Sequence, residues 1–483
     1  MLTLLLILIP AVAALLLPLF SGTAARNVAF AAALAELAVA LYAITQFVPT
    51  AGTQFGFDYA WLPSLGVRFS GGMDGISMLL VLLTTVLVPL IVLSTFGQTY
   101  GNNSAFYALM LLMEAALVGV FTALDAFAFY LFWEAALIPV YFLAAIWGGE
   151  KRIAITFKFF IYTVFGSLFM LLALVFLYLQ TPGTHSSAIA DIYAVVLSSE
   201  TQSWVFWALF VAFAIKMPIF PFHTWQPDTY TESPAPATML LSGIMLKMGI
   251  YGVLRWLLPI VPDGVAEWRT VVILLSVIGI VYGSIIAIQQ KDLKKLFAYS
   301  SFAHVGLMSA GVFSLTLKGM QGAVIQMLAH GINVVGLFFV AEIIQRRLRT
   351  RDIDRMGGIT QNTPALTVFF MILMLGSVAL PLTNGFVGEF MLLAGVYEFN
   401  HWYGAVAGLT IILGAVYMLK MFQGVMFGEQ NNWTEKVTDI TATEAAVLLP
   451  LAVLVIWMGV APAPFLQLTE PAVKQVLELA AGK

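Results

Sequence analysis

The chain has 483 residues, of which 61% are hydrophobic and 10% are charged, and its formal net charge is -3. An average soluble domain carries about 25% charged residues, so this composition excludes a water-soluble globular protein and predicts a polytopic membrane protein. The chain contains no cysteine, and its five histidines lack metal-ligand spacing, so we expect no disulfide, iron–sulfur ligation, metal or cofactor in it.

The apolar runs predict an all-α fold with about fourteen transmembrane helices. A run of about 18 residues is long enough to cross the hydrocarbon core as a helix. In chain order the runs lie near 2–21, 27–47, 73–95, 105–123, 125–147, 156–180, 203–223, 236–258, 270–290, 296–315, 320–345, 366–395, 402–427 and 443–465. The connection near 48–72 is long enough to hold structure of its own, and its alternating pattern and glycines predict a surface hairpin.

The loop charges predict the orientation of the chain. Fourteen spans place both termini on the same side of the membrane. Basic residues are about twice as frequent in the loops on the opposite side, which include Lys151, Lys294 and Arg347, as on the terminal side, which includes Arg68 and Lys483. Since cytoplasmic loops are enriched in Lys and Arg, both termini are predicted to lie outside.

Four ionisable residues fall inside otherwise apolar spans: Glu134, Lys216, Lys247 and Glu389. A charge near the centre of a span costs about 3 kcal/mol on insertion scales, so such residues indicate a function. The alternative for Glu134 and Lys216 is a structural ion pair between two helices. Lys247 could likewise only neutralise a carboxylate elsewhere.

Two of these residues lie beside helix breaks. Pro218 and Pro221 follow Lys216, and Pro381 and several glycines precede Glu389. Proline removes a backbone donor and clashes with the preceding turn, and broken helices at membrane depth require protein or a wet cavity around them. Five spans separate the two breaks, which predicts two structural repeats of opposite orientation.

Weaker candidates extend the series. Glu114, His304, His330 and Lys420 also lie in apolar runs, and His223 lies nearer the cytoplasmic surface. Ionisable groups of both signs with tunable proton affinity are what a proton relay requires. Either histidine could instead form an ordinary interhelical hydrogen bond. Arg255, near a helix end, is predicted to extend its side chain to the interface.

Four segments carry a family resemblance: LFWEAALIPVYFL, FAIKMPIFPFHTWQPDTYTESPAPATMLLSGIMLKMGIYGVLR, KKLFAYSSFAHVGLMSAG and LTNGFVGEFMLL. They resemble the antiporter-like subunits of proton-pumping NADH–quinone oxidoreductase, respiratory complex I, over residues 70–430. The chain is most similar to the M type (chain 4 of mitochondria), because Glu389 stands where the L and N types and antiporter relatives usually have lysine. Leu382 replaces the glycine expected before Thr383.

The resemblance implies an arrangement and a set of roles. It implies N-terminal helices 1–3 over 1–104, inverted five-helix repeats over 105–258 and 270–427, and a last helix with a tail over 443–483. Glu134 would pair with Lys216, Lys247 would be the central relay lysine, and Glu389 would be the terminal group toward the outside. The positions of Glu114, His223, His304 and His330 match functional or water-wire residues of the family.

The resemblance also implies a setting. The chain would translocate protons as a subunit of an enzyme complex, without a redox site of its own, in an energy-transducing membrane such as the bacterial inner membrane. Flavin, iron–sulfur clusters and quinone would be held by partner subunits, and the partners would include L- and N-type subunits and lipids, with no nucleic acid. A cation/proton antiporter subunit, a membrane subunit of a hydrogenase-linked complex and a structural scaffold are the alternatives.

Overall fold

The computed structural model describes residues 1–482, so Lys483, counted above on the outer side, lies outside the described residues. Its first ten helices are α1 (Leu2–Leu16), α2 (Gly22–Gln46), α3 (Gly75–Ser94), α4 (Asn103–Thr122), α5 (Ala126–Ala135), α6 (Leu137–Trp147), α7 (Arg152–Gln180), α8 (Ile189–Tyr193), α9 (Ser199–Lys216) and α10 (Gln226–Glu232). The remaining helices are α11 (Ala235–Leu240), α12 (Lys247–Gly252), α13 (Pro262–Gln289), α14 (Leu293–Phe313), α15 (Leu317–Leu348), α16 (Pro364–Ser377), α17 (Asn384–Phe399), α18 (His401–Ala407), α19 (Leu409–Met426), α20 (Ala442–Val460) and α21 (Ala463–Ala480).

The helices confirm the predicted all-α membrane fold. Within residues 1–482, twelve uninterrupted helical segments are long and apolar enough to cross a membrane. Two further crossings are interrupted, one after α9 and one between α16 and α17. Together they account for the fourteen predicted spans. The chain is therefore a multi-pass membrane protein.

The hairpin and the last helix lie outside this bundle. Strands β1 (Gln54–Leu62) and β2 (Val67–Met73) pair antiparallel, with Asp58 opposite Ser70. The sequence predicted only a tail after the last span, whereas the structure has the additional helix α21 there. This helix packs against α3 and α15. Gly75 is required at this contact, because a Cβ atom there would overlap the Leu468 carbonyl group.

Burial separates central helices from peripheral ones. The most apolar part of Ala235–Leu257 is entirely buried, and the most apolar parts of α14 and α15 are almost entirely buried. In α1, α2 and α7, by contrast, most residues of the most apolar part are not buried. The central segment is irregular, because π-helical turns at Leu241–Met245 and Val253–Leu257 flank α12. Such turns inside α-helices are frequent at functional sites.

Candidate functional site

The central helices bring Lys247 and His330 into direct contact. The Lys247 Nζ atom donates to the Ser242 carbonyl oxygen at 2.6 Å and lies 2.9 Å from His330 Nδ1. The other ring nitrogen of His330, Nε2, lies 2.9 Å from Ser301 Oγ. Lys247 is fully buried and His330 nearly so. The π-helical turn that contains Ser242 thus supplies a backbone acceptor for a lysine that has no carboxylate partner within 4.0 Å in residues 1–482.

His304 and Glu389 extend this contact across the bundle. The ring centroids of His304 and His330 are 6.0 Å apart. His304 Nε2 lies 3.1 Å from Glu389 Oε1 and 3.1 Å from the Ser377 carbonyl oxygen. Glu389 also accepts a long hydrogen bond of 3.4 Å from Gln326. These contacts form one buried row, Lys247–His330–His304–Glu389, which we call the charge row.

A proline explains the free carbonyl group of Ser377. In a regular helix this oxygen would accept from the N–H group four residues later, but that residue is Pro381, which has none. The helix α16 ends at Ser377, and the oxygen accepts from His304 instead. The break predicted from sequence therefore orients a histidine as well as exposing backbone.

The hydrogen-bond partners of the two histidines indicate which ring nitrogens carry protons. His304 Nδ1 faces the Ser300 carbonyl oxygen at 2.7 Å, and Nε2 faces a carbonyl and a carboxylate, so both nitrogens must donate for every bond to form. This is the charged imidazolium form. His330 Nδ1 faces an ammonium donor, so His330 is neutral with its proton on Nε2. The row thus alternates between groups that can give and groups that can take a proton.

Lys216 is the last residue of α9, where the first break begins. Its side chain is buried, and its Nζ atom lies 5.2 Å from the centroid of the Trp133 ring. The end of a helix favours a cation because its carbonyl groups point there. The Ala214 carbonyl, whose helical partner would be Pro218, accepts from Ile219 N–H at 2.8 Å. The break lies where the prolines predicted it, a local hydrogen bond stabilises it, and Lys216 stands at its edge.

Close packing brings Lys216 toward Lys247. A Cβ atom on Gly249 would lie 2.6 Å from Met217 Cβ and 2.8 Å from the Phe213 carbonyl oxygen. The absence of a side chain at this position therefore lets α12 touch the end of α9. No direct hydrogen bond joins Lys216 to Lys247 in the described residues.

The structure does not contain the Glu134–Lys216 ion pair that the resemblance implied. Among residues 1–482, no carboxylate lies within 4.0 Å of Lys216 Nζ. Glu134 is partly exposed in this chain, and the neighbouring turns of its helix expose Leu131 and Ile138. Glu134 therefore lies beside an exposed stripe of its helix. The two groups are near one another but separated.

Three other candidate residues lie outside the charge row. Lys420 is exposed rather than buried, because it lies in the wall of an open cavity beside the end of α19. Arg255 does not extend to the interface but is buried in an ion pair with Asp74. His223 is buried in the first break and stacks on Phe302 with centroids 4.4 Å apart, outside the charge row.

Glu114 has a neighbour that sequence analysis missed. Glu36 on α2 is fully buried, as is Glu114 on α4, and the two carboxyl groups approach each other. Apart from each other, the two carboxyl groups have no hydrogen-bond partner within residues 1–482. The sequence does contain a signal for Glu36, because it is the one acidic residue of a long apolar helix. It shares the buried face of that helix with alanines. Both glutamates lie apart from the charge row.

The arrangement suits proton transfer. The described residues contain no group of three or more His, Cys, Asp or Glu placed to hold a metal ion. Titratable groups within hydrogen-bond distance, or one small gap apart, can pass a proton along the row. The supporting groups Ser242, Ser301 and Gln326 were not predicted, because ordinary polar residues on helices carry no distinctive sequence signal.

Comparisons with known proteins give the family. The family described as NADH:quinone oxidoreductase/Mrp antiporter, TM, matches residues 123–414. NADH-quinone oxidoreductase subunit M of Rickettsia conorii is 42% identical over 427 residues, which cover 88% of this chain and 86% of the relative. Subunit M of Rhodobacter capsulatus is 39% identical over 474 residues, covering 95% of this chain and 92% of the relative.

A solved structure agrees with these relatives. A chain of respiratory complex I from Thermus thermophilus is 33% identical, with a TM-score of 0.92, and the match covers 99% of this chain and 100% of that one. The matched region of the family contains every residue of the charge row. The chain belongs to the NADH:quinone oxidoreductase/Mrp antiporter family of membrane subunits.

Proposed function

We propose that this chain is the M-type, proton-translocating membrane subunit of an NADH–quinone oxidoreductase, and that protons move along the charge row. The observation that carries the proposal is the unbroken contact between Lys247 and His330 and between His304 and Glu389, with both pairs buried at the centre of the bundle. A charge in the membrane interior is costly, and four titratable groups in one row have a function by default.

The direction follows from the proposed orientation. Protons would enter from the cytoplasm, reside on Lys216 and Lys247, pass through the histidines to Glu389 and leave outside. In this proposal Lys216 and Glu389 are equivalent positions of two inverted units, 105–258 and 270–427. Glu114 and His223 lie outside the row and would serve access to it.

Energy for pumping must come from elsewhere in the complex. At an effective dielectric constant of about 20, moving Glu134 from about 4 to about 8 Å from Lys216 changes their interaction by about 2 kcal/mol. Moving one charge against about 170 mV requires about 4 kcal/mol. A single pair is therefore insufficient, and several coupled steps must contribute. We place flavin, iron–sulfur clusters and quinone in partner subunits.

The surface around Glu134 supports a partner subunit there. A partly exposed carboxylate between exposed Leu131 and Ile138 would be costly against lipid. We propose that an L- or N-type antiporter-like subunit covers this face and that its contact moves Glu134 relative to Lys216. A map of the assembled complex tests this, because Glu134 would then be covered by protein.

The proposed membrane is the bacterial inner membrane, with both termini in the periplasm. The support is the excess of Lys and Arg on the opposite face, where Lys294, Arg346 and Arg347 lie near helix ends. Accessibility of engineered cysteines from one side of sealed vesicles tests this orientation.

Replacing Glu389 tests the proposed function most simply. The Glu389→Gln variant keeps the side-chain volume but removes the anion that faces His304, so we expect proton translocation to fall by about a hundredfold or more. The measurement is proton uptake into sealed inverted vesicles during NADH oxidation, with assembly checked by native electrophoresis.

Glu398→Gln is the matched control. Glu398 lies on the same helix, α17, but its side chain is exposed and pairs with Lys318 at 3.4 Å. This variant should pump at close to the wild-type rate. Near-normal pumping by Glu389→Gln in an assembled complex would remove Glu389 from the path and refute the proposed role of the charge row.

A further inference from the structure

A cavity of about 550 Å³ opens on the face that we assign to the cytoplasm. It lies between the ends of α13 and α19 and the loop around residue 354. Its mouth is formed by exposed Lys291 and Asp354, whose side chains pair at 2.5 Å. Its walls include Gln289, Lys420 and Gln423. A cavity with this volume and these polar walls accommodates several water molecules, each of which occupies about 30 Å³ in the liquid.

The cavity reaches far into the bundle. Its lining includes Tyr417, which lies nine residues before the end of α19 at Met426. Nine residues of helix correspond to about 13 Å, and the midplane of a core about 30 Å thick lies about 15 Å below its surface. The floor of the cavity is therefore close to the depth of the charge row.

Two hydroxyl groups connect this floor to the charge row. The Tyr417 hydroxyl group lies 3.1 Å from Ser300 Oγ, and both side chains are buried. Ser300 Oγ lies 3.5 Å from His304 Nδ1, and the Ser300 carbonyl oxygen lies 2.7 Å from the same nitrogen. A line of exchangeable protons thus runs from the cavity to the histidine that faces Glu389.

We propose that Tyr417 and Ser300 are relay residues that load His304 with protons from this cavity, separately from entry at Lys216. The proposal rests on the proposed function, because it adds a second entrance to the same charge row.

The proton steps balance without any other reactant. Starting from neutral His304 with Nδ1 unprotonated, an excess proton from the cytoplasmic solution arrives on a cavity water as hydronium. The hydronium gives this proton to Tyr417 and becomes neutral water, Tyr417 gives its own proton to Ser300, and Ser300 gives its own to Nδ1. The imidazolium that forms is the state that the acceptors around His304 favour in this structure. The His304 imidazolium then passes its Nε2 proton to Glu389. Rotation of the two hydroxyl groups and of the His304 ring restores the starting arrangement of the relay.

A purely structural hydrogen bond is the alternative for Tyr417, and the chain contains an example. The hydroxyl groups of Tyr107 and Thr95 lie 2.8 Å apart and are buried, but they contact neither the cavity nor the charge row. What distinguishes Tyr417 is that it lines a polar cavity and that its hydroxyl group contacts Ser300, which in turn neighbours the titratable His304.

Tyr417→Phe tests the relay. The substitution keeps the ring and removes the hydroxyl group, so we expect proton translocation to fall by about tenfold to a hundredfold, less than a positioned acid–base group can contribute, because water can partly replace the hydroxyl. Ser300→Ala should give a similar loss, and Ser300→Thr, which restores a hydroxyl group, should recover most of it.

Tyr107→Phe is the matched control, since it removes one buried hydroxyl–hydroxyl bond elsewhere and should pump normally. Equal pumping by the Tyr417 and Tyr107 variants would overturn the proposal. If Glu389→Gln abolishes pumping while Tyr417→Phe does not, the relay alone fails. If neither has an effect, the proposed function fails as well.

Access from the cytoplasm is tested separately by labelling. The chain has no cysteine, so Gln423→Cys introduces a single thiol into the cavity wall of this subunit. A membrane-impermeant thiol reagent should modify it in inverted vesicles, whose cytoplasmic face is outward, and not in right-side-out vesicles. Modification only in right-side-out vesicles would overturn both this entrance and the orientation.

Discussion

In the proposed function, single side chains determine which parts of the molecule conduct protons. Lys247 contacts His330 and His304 contacts Glu389, with the two histidine rings 6.0 Å apart, whereas His223 and Glu114 are buried without joining this row. A buried ionisable residue is therefore not sufficient evidence of a role in the row. The deciding property is a continuous set of partners on both sides of the group.

Glu36 provides a test of this distinction. It is as deeply buried as Glu389, but its carboxyl group has no hydrogen-bond partner other than the Glu114 carboxyl group in residues 1–482. A charged carboxylate without a partner is costly, so a neutral amide of similar volume should fit the site. We expect the Glu36→Gln complex to assemble and to pump at close to the wild-type rate, as measured by proton uptake in vesicles. Pumping as low as that of Glu389→Gln would instead include α2 in the proton path.

The predictable and unpredictable residues differ in kind. Glu134, Lys216, Lys247 and Glu389 were visible because a charge contrasts with an apolar run. The backbone carbonyls of Ser242 and Ser377 were not, because their availability depends on a π-helical turn and on a helix break in three dimensions. Exposure was also unpredictable, as Lys420 shows, because the charge alone does not say which side of α19 it lies on.

Helix breaks carry as much of the function as the charges do. The break between α16 and α17 releases the Ser377 carbonyl for His304 and leaves Glu389 one turn into α17. The break after α9 places Lys216 at a helix end. Prolines in the sequence predicted both positions, but only the structure shows that the released backbone groups become part of the site.

Leu382, in the second break, departs from the family pattern, and the structure shows the cost of this departure. Sequence analysis expected glycine there, and the structure gives Leu382 a φ of +74°, in the left-handed region that favours glycine. The side chain is 67% exposed, so little burial would be lost on its removal. This position is therefore strained by about 1–2 kcal/mol in the present sequence.

We expect Leu382→Gly to stabilise the break by about 0.5–1 kcal/mol, after allowing for the greater freedom of glycine in the unfolded chain. The measurement is the temperature at which the assembled complex loses activity, which should rise. Leu380→Gly is the control, because Leu380 is also exposed but does not have a positive φ, and this variant should lower the temperature. Lower stability of Leu382→Gly than of the wild type would show that the side chain contributes more than the strain costs.

The molecule as a whole combines a buried centre with a more exposed, apolar periphery. The central helices are almost entirely buried, and the row lies among them, whereas α1, α2 and α7 expose apolar faces suited to lipid or neighbouring subunits. The sequence predicted the membrane class and fourteen crossings, because span length and apolar composition are fixed by the bilayer. It did not predict α21, because a helix that lies along the bundle is too polar to be recognised as a span.

The gaps in the row are where water must act. Lys216 and Lys247 have no direct hydrogen bond, and the rings of His330 and His304 are 6.0 Å apart. Proton transfer across such distances requires bridging water. A high-resolution cryo-electron microscopy map of the assembled complex tests the conducting row most directly. We predict ordered water that joins Lys216 to Lys247 and the two histidines to each other. Dry apolar packing in both gaps, in every state of the working complex, would contradict the account.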